Sequence, residues 1–123
     1  MTAFINDVIL DAALAYIDTN TENLYLCHTQ PTTFTQASDT YKLGVKATPT
    51  IAVPEDAASG RKVVIAAITD GTVSANGTAG FIALTDDSAS LLLCTQALSG
   101  SQIVTSGNTF TLTEFDISIP DPS

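Results

Sequence analysis

The chain of 123 residues has no tryptophan, one histidine and only four basic side chains. Each shortage removes a class of function. Four bases against thirteen acids leave a formal net charge of −9. That charge repels the phosphates of nucleic acid and the headgroups of an anionic membrane. Without Trp and with few aromatics, the stacking platform of a sugar site is missing. A lone histidine, His28, leaves little material for acid–base catalysis at neutral pH. Only two cysteines are present, Cys27 and Cys94, and they are far apart. Both lie in apolar, strand-like runs, so the expectation is free, buried thiols. Cys27 and His28 are neighbours, but two ligands are too few for zinc, and adjacent strand residues point to opposite faces. No stretch approaches the ~20 apolar residues of a membrane-spanning helix. The first residues also lack the basic region of a secretory leader, and Asp7 and Asp11 interrupt the apolar run. The expectation is a non-enzymatic protein with no cofactor, no metal, no nucleic acid and no membrane partner.

What is present is apolar surface in excess. Hydrophobic residues make up 45% of the chain and charged ones 14%, low for a domain that must stay in water. Ser, Thr, Asn and Gln carry much of the solubility, a mixture that suits an all-β protein. The length fits one domain over residues 1–123 with a core of its own. Within it we expect a helix in residues 1–20, a sandwich over 21–119 and an extended tail over 120–123.

The segment "TAFINDVILDAALAYIDTN" predicts one helix, roughly residues 3–18, with Asn20 as its stop. Asp7, Asp11 and Asp18 fall on one narrow stripe. The rest of the girth is apolar, wider than a surface helix needs. Burial of most of that girth against a sheet is the plain expectation. The sharper one is a face offered to a neighbour, carried by Phe4, Ile5, Val8 and Ile9.

After Asn20 the apolar period falls to two. "NLYLCHT" predicts a strand. In "TYKLGVKAT", Tyr41, Leu43 and Val45 share one side and Lys42 and Lys46 the other. A short edge strand is expected between Pro49 and Pro54, and an exposed acidic loop at "EDAASG". "RKVVIAAIT" is apolar on both sides and ends at an expected Asp70-Gly71 turn. Leu91, Leu92, Leu93 and Cys94 are also apolar on both sides: Leu91 and Leu93 are expected on one buried face, Leu92 and Cys94 on the other. Leu92 joins the candidate contact residues. Near the end, Phe110 and Leu112 are even-numbered, whereas Phe115, Ile117 and Ile119 are odd. A bulge near Thr113–Glu114, or a strand changing sheets there, would produce that switch. One helix and seven or eight short strands predict a mainly β protein, an antiparallel β-sandwich of jelly-roll or immunoglobulin-like type with one N-terminal helix. The helix is expected to cover the outer face of the central strands.

Candidate chemistry is sparse. Asp86-Asp87-Ser88 has too few oxygens for an EF-hand-like loop and predicts a solvated turn. Glu114 and Asp116 would share one face of one strand about 7 Å apart, an exposed pair with no sugar platform beside it. No phosphate-binding glycine loop and no Gly-x-Ser-x-Gly occur.

The segments "ILDAALAYIDTN", "LYLCHTQPTTFTQASDTYKLG", "SGRKVVIAAITDGTVSANGTAGFIALTDD" and "LLLCTQALSGSQIVTSGNTFTLTEFDISIPDP" together resemble small proteins of the structural modules of tailed bacteriophages. The likeness spans nearly the whole chain and rests on turn and core patterns. It implies a virion component similar to capsid decoration, or cement, proteins. The implied partner is the major capsid protein, bound on the capsid exterior in many copies or as a homo-oligomer. Two other readings stand beside it: a tail, baseplate or fibre component, and a small cell-surface binding module.

Overall fold

The backbone changes where the apolar period does. The computed structural model describes residues 4–121. Helix α1 spans Asp7–Asn20. It starts later than the sequence predicts because the Asn6 side chain caps it, accepting from the Val8 amide at 2.9 Å. Asp7 then sits in the first turn, where negative charge meets the helix dipole. Phe4 and Ile5 therefore precede the helix, and residue 3 lies outside the described residues. Nine strands follow among the described residues: β1 (Asn23–Cys27), β2 (Lys42–Ala47), β3 (Glu55–Asp56), β4 (Arg61–Ile65), β5 (Ile68–Val73), β6 (Gly77–Asp86), β7 (Leu91–Val104), β8 (Thr109–Leu112) and β9 (Phe115–Ile119). A single π-helical turn, Gln36–Thr40, stands before β2.

The strands form two antiparallel sheets, one ordered β7-β6-β1-β2-β5-β8 and the other β3-β4-β9. The fold is thus the mainly β, antiparallel sandwich with an N-terminal helix that the sequence predicts. Three connections cross between the sheets; the longest runs from β2 to β3 through Thr48–Pro54. A second runs from β8 to β9 through Thr113–Glu114, where the apolar parity switches. Another runs from β4 to β5 through Ala66–Ala67.

The main core joins Leu24 and Leu26 of β1, Ile82 and Leu84 of β6, and Val63 and Ile65 of β4, with Leu14 of α1. The opposite face of β1 and β6 holds Tyr25, Cys27 and Ala83. There the cover is Ala37 of the π-helical turn, with Tyr41, Phe81 and Leu92. This corrects the expectation that α1 covers that face. The helix instead packs on β4, β9 and β6, and the 28–41 connection does the covering.

Four local expectations are corrected. In β2, a register shift opposite Leu26/Cys27 sends Leu43 into the main core, while Val45 and Tyr41 pack on the other face. The piece between Pro49 and Pro54 makes only one bridge, Ile51 to Ile65. The edge strand is β3, in the expected acidic loop. Asp70-Gly71 is no turn but the middle of β5, because the Phe110 ring lies close against the glycine. A Cβ there would fall 2.3 Å from the ring, and one at Gly44 would fall 3.1 Å from it. Finally, the register of β7 shifts between Leu84↔Cys94 and Thr85↔Leu92. Leu93 and Cys94 both reach the main core, Leu92 packs on the second cluster, and Leu91 is 43% exposed. A bulged strand does not alternate.

Both thiols are free; Cys27 is buried and Cys94 half-buried. They pack in different clusters. Burial pushes each of them up to about 11.

Two outcomes are expected. Gly71→Ala forces a methyl group into the Phe110 ring and lowers stability by about 1–3 kcal/mol. The Gly71→Ala/Phe110→Leu double variant loses less than the two single losses added, in thermal unfolding. Native Cys27 reacts with a maleimide far more slowly at neutral pH than the unfolded protein does, by mass spectrometry.

Candidate functional site

The residue that orients the helix is Arg61, on β4. Its Nε donates to Asp11 Oδ1 at 2.7 Å and its Nη2 to Asp11 Oδ2 at 3.2 Å, a two-pronged pair. Its Nη1 donates to Asp56 of β3 at 2.5 Å. The guanidinium is mostly covered, and such a fork fixes direction as well as distance.

This contact turns the helix opposite to the expectation from its pattern. The acidic stripe borders the buried stripe of Leu10 and Leu14, and Asp11 and Asp18 are both half-buried. The far side carries Val8, Ile9, Ala12 and Tyr16, all exposed. Phe4 and Ile5 extend that face ahead of the cap. Phe4 is 82% exposed, Val8 70% and Ile9 62%. The plain expectation of a helix buried around most of its girth is therefore corrected. Of the predicted contact residues, Phe4, Ile5, Val8 and Ile9 come together at the start of α1. Leu92 lies apart from them, half-buried against the second cluster. Tyr16, 47% exposed, completes the face. The i, i+4 spacing of Ala12 and Tyr16 after Val8 was the signal for it.

The acidic turn is a built structure, not a solvated loop. Asp87 accepts from the Tyr25 hydroxyl and the Thr85 hydroxyl, each at 2.6 Å. Asp86 caps the following 3₁₀ turn by accepting from the Ala89 amide. Glu22 reaches across from the start of β1 to accept from the Ser88 amide at 2.9 Å. Burial works to raise the Asp87 carboxyl, but the two hydroxyl donors outweigh it and hold it low. The neighbouring Glu22 carboxyl, with burial, pushes Asp86 up. Hydrogen bonds from Ser88 hold Glu22 low. Asp87 and Glu22 thus tie β1 to the β6–β7 turn, and Asp86 closes the turn itself.

The other candidates also fall into place. Glu114 and Asp116 do not share a strand: Glu114 lies in the crossover, and Asp116, on β9, pairs with Lys62 at 3.2 Å. His28 is exposed and sits edge-on to Tyr41, with ring centroids 5.3 Å apart. Among the described residues no cluster of three metal-ligating side chains forms, and no helix is long and apolar enough to cross a membrane. No family model matches the chain, and neither a curated protein nor a solved structure matches it.

Asp87→Ala strands two covered hydroxyls and costs about 1–3 kcal/mol in chemical denaturation at pH 7. The folded carboxyl of Asp87 lies below its unfolded value, so its contribution is full above the unfolded range and is lost as pH falls. Asp87→Asn therefore loses less stability than the parent between pH 7 and about pH 3.

Proposed function

We propose that this protein is a non-enzymatic structural component of a tailed-phage particle, one that binds the assembled capsid from outside and stabilises it. The observation that carries the reading is the apolar face of Phe4, Ile5, Val8, Ile9 and Tyr16 on a chain of net charge −9. A contiguous exposed apolar face marks a contact surface. The charge keeps the unbound protein soluble by self-repulsion. The resemblance in turn and core patterns supplies the particle.

A decoration protein meets its shell at many equivalent sites. Each contact need bury only ~800 Å² per partner, since repetition and self-association make modest contacts add up. Ligation of the folded shell by many copies raises its stability by mass action. The major capsid protein is the partner, and this helix face is where it docks. A tail or baseplate role would use the same face at far lower copy number.

Val8→Asp/Ile9→Asp places two charges on the exposed face without touching Leu10 or Leu14. Thermal stability of the free protein changes by no more than about half a kcal/mol. Co-sedimentation with particles stripped of the protein falls ~tenfold or more. Ile103→Asp, at an exposed residue of β7, leaves both unchanged. Wild-type binding by the helix variant would overturn the reading. On a quantitative gel of purified particles the band is comparable with that of the major capsid protein; a band at tail stoichiometry would transfer the protein to the tail.

A further inference from the structure

Strands β7 and β8 are consecutive and joined by a tight turn, yet they stand at opposite ends of the six-stranded order. Each is hydrogen-bonded to one neighbour only, β7 to β6 and β8 to β5. The hairpin they would form is splayed. Where Gln102 comes opposite Thr111, the Gln102 side-chain amide donates to the Thr111 carbonyl at 3.1 Å, in the place of a backbone N–H. Beyond that bridge the strands enclose a cleft of about 640 Å³.

The cleft has a definite chemistry. Ile68, Leu98 and Phe115 give it apolar surface, and Gln96 and Thr113 give neutral hydrogen-bonding groups. Glu114 is the one charged residue among those that line it. Its β7 wall belongs to a strand of 14 residues that contains neither a charge nor a proline. A long edge strand normally carries such residues to prevent pairing with other chains. Four residues of β7, Leu98–Ser101, stand opposite Gly80 alone. A Cβ built on Gly80 or on Gly100 would meet nothing within 4 Å. Neither glycine is required by this chain's own packing or by a left-handed backbone. Both glycines lie in that bulge, and the open space at Gly100 lets another backbone approach the edge.

We propose that the cleft between β7 and β8 receives an extended polypeptide segment of a partner protein, which adds as a strand to the open edge of β7. The main-chain groups of Gln96–Gly100 bond it on one side, as in β-strand addition, while β8, which reaches the cleft only at Thr111 and Leu112, walls the other. Five residues of strand span about 17 Å, the scale of the β7 wall from Gln96 to Gly100. The segment is apolar at alternate positions, to fill the space over Ile68 and Leu98, and free of acids, which Glu114 and the net charge would repel. This occupant is independent of the phage reading, since the binding is a property of the isolated protein.

The test is selection of a displayed library of random peptides, each about twelve residues long so as to overrun the cleft, on the purified protein. Selected peptides are expected to alternate in apolarity and to lack Asp and Glu. N-methylation of alternate amides in one register weakens binding about tenfold or more, and in the other register much less. Gly100→Val keeps the thermal midpoint of the parent and loses the peptides by about tenfold or more. Failure to select any peptide would overturn the proposal, as would peptides indifferent to both N-methyl registers. So would equal binding to Gly100→Val. A parent protein that is dimeric in sedimentation, with Gly100→Val monomeric, would give the cleft to a second copy and overturn the foreign segment. Peptide binding without capsid binding would leave this inference standing and remove only the decoration role.

Discussion

Strands β1 and β6 are buried on both faces, and the remaining architecture answers that constraint. Leu24, Leu26, Ile82 and Leu84 point into one core, and Tyr25, Cys27 and Ala83 into another. Each buried Leu side chain contributes roughly 2 kcal/mol relative to exposure, so both faces must be kept dry. The three-stranded sheet and Leu14 of the helix close the first. The π-helical turn, with Ala37 fully buried, closes the second. The polar groups trapped between are satisfied locally: Thr85 and Tyr25 both donate to Asp87. A two-sided apolar pair of strands thus explains the crossovers, the 28–41 connection and the acidic turn together.

Closing those two faces uses only part of the helix. Leu10 and Leu14 are buried, and the Arg61–Asp11 pair fixes the rotation. An ion pair that is partly covered is a weak source of net stability, but it is directional. It draws Asp11 inward and leaves Val8, Ile9, Ala12 and Tyr16 in solvent. The apolar excess in the composition is therefore surface, concentrated from Phe4 to Tyr16.

A second consequence falls at the far end of the large sheet. Phe110 lies across Gly71 and Gly44, holding β8 against β5 and β2. With β8 fixed there and β7 following β6, the hairpin between them stays open. The same segment carries the β4–β5 and β8–β9 crossovers, so the cleft is a by-product of how the chain changes sheets.

The sequence by itself determined the class of fold. The switch of period after Asn20 and the parity change between Leu112 and Phe115 both register in backbone position, because burial on one face imposes a period of two or 3.6. The Asn6-Asp7 cap was also legible in principle, as an N-cap residue followed by an acid. Three things were decided only by the tertiary structure. Which side of α1 faces inward depends on Arg61, fifty residues away, and helical periodicity has no knowledge of a distant guanidinium. The strand through Asp70-Gly71 depends on the Phe110 ring; locally those residues spell a turn. The mixed faces of Leu91–Cys94 and of Leu43 depend on bulges set by the partner strand, and a shift of one residue reverses every side chain beyond it. Local chemistry fixes periods and caps, while rotation, register and open edges are properties of pairs that only the folded chain brings together.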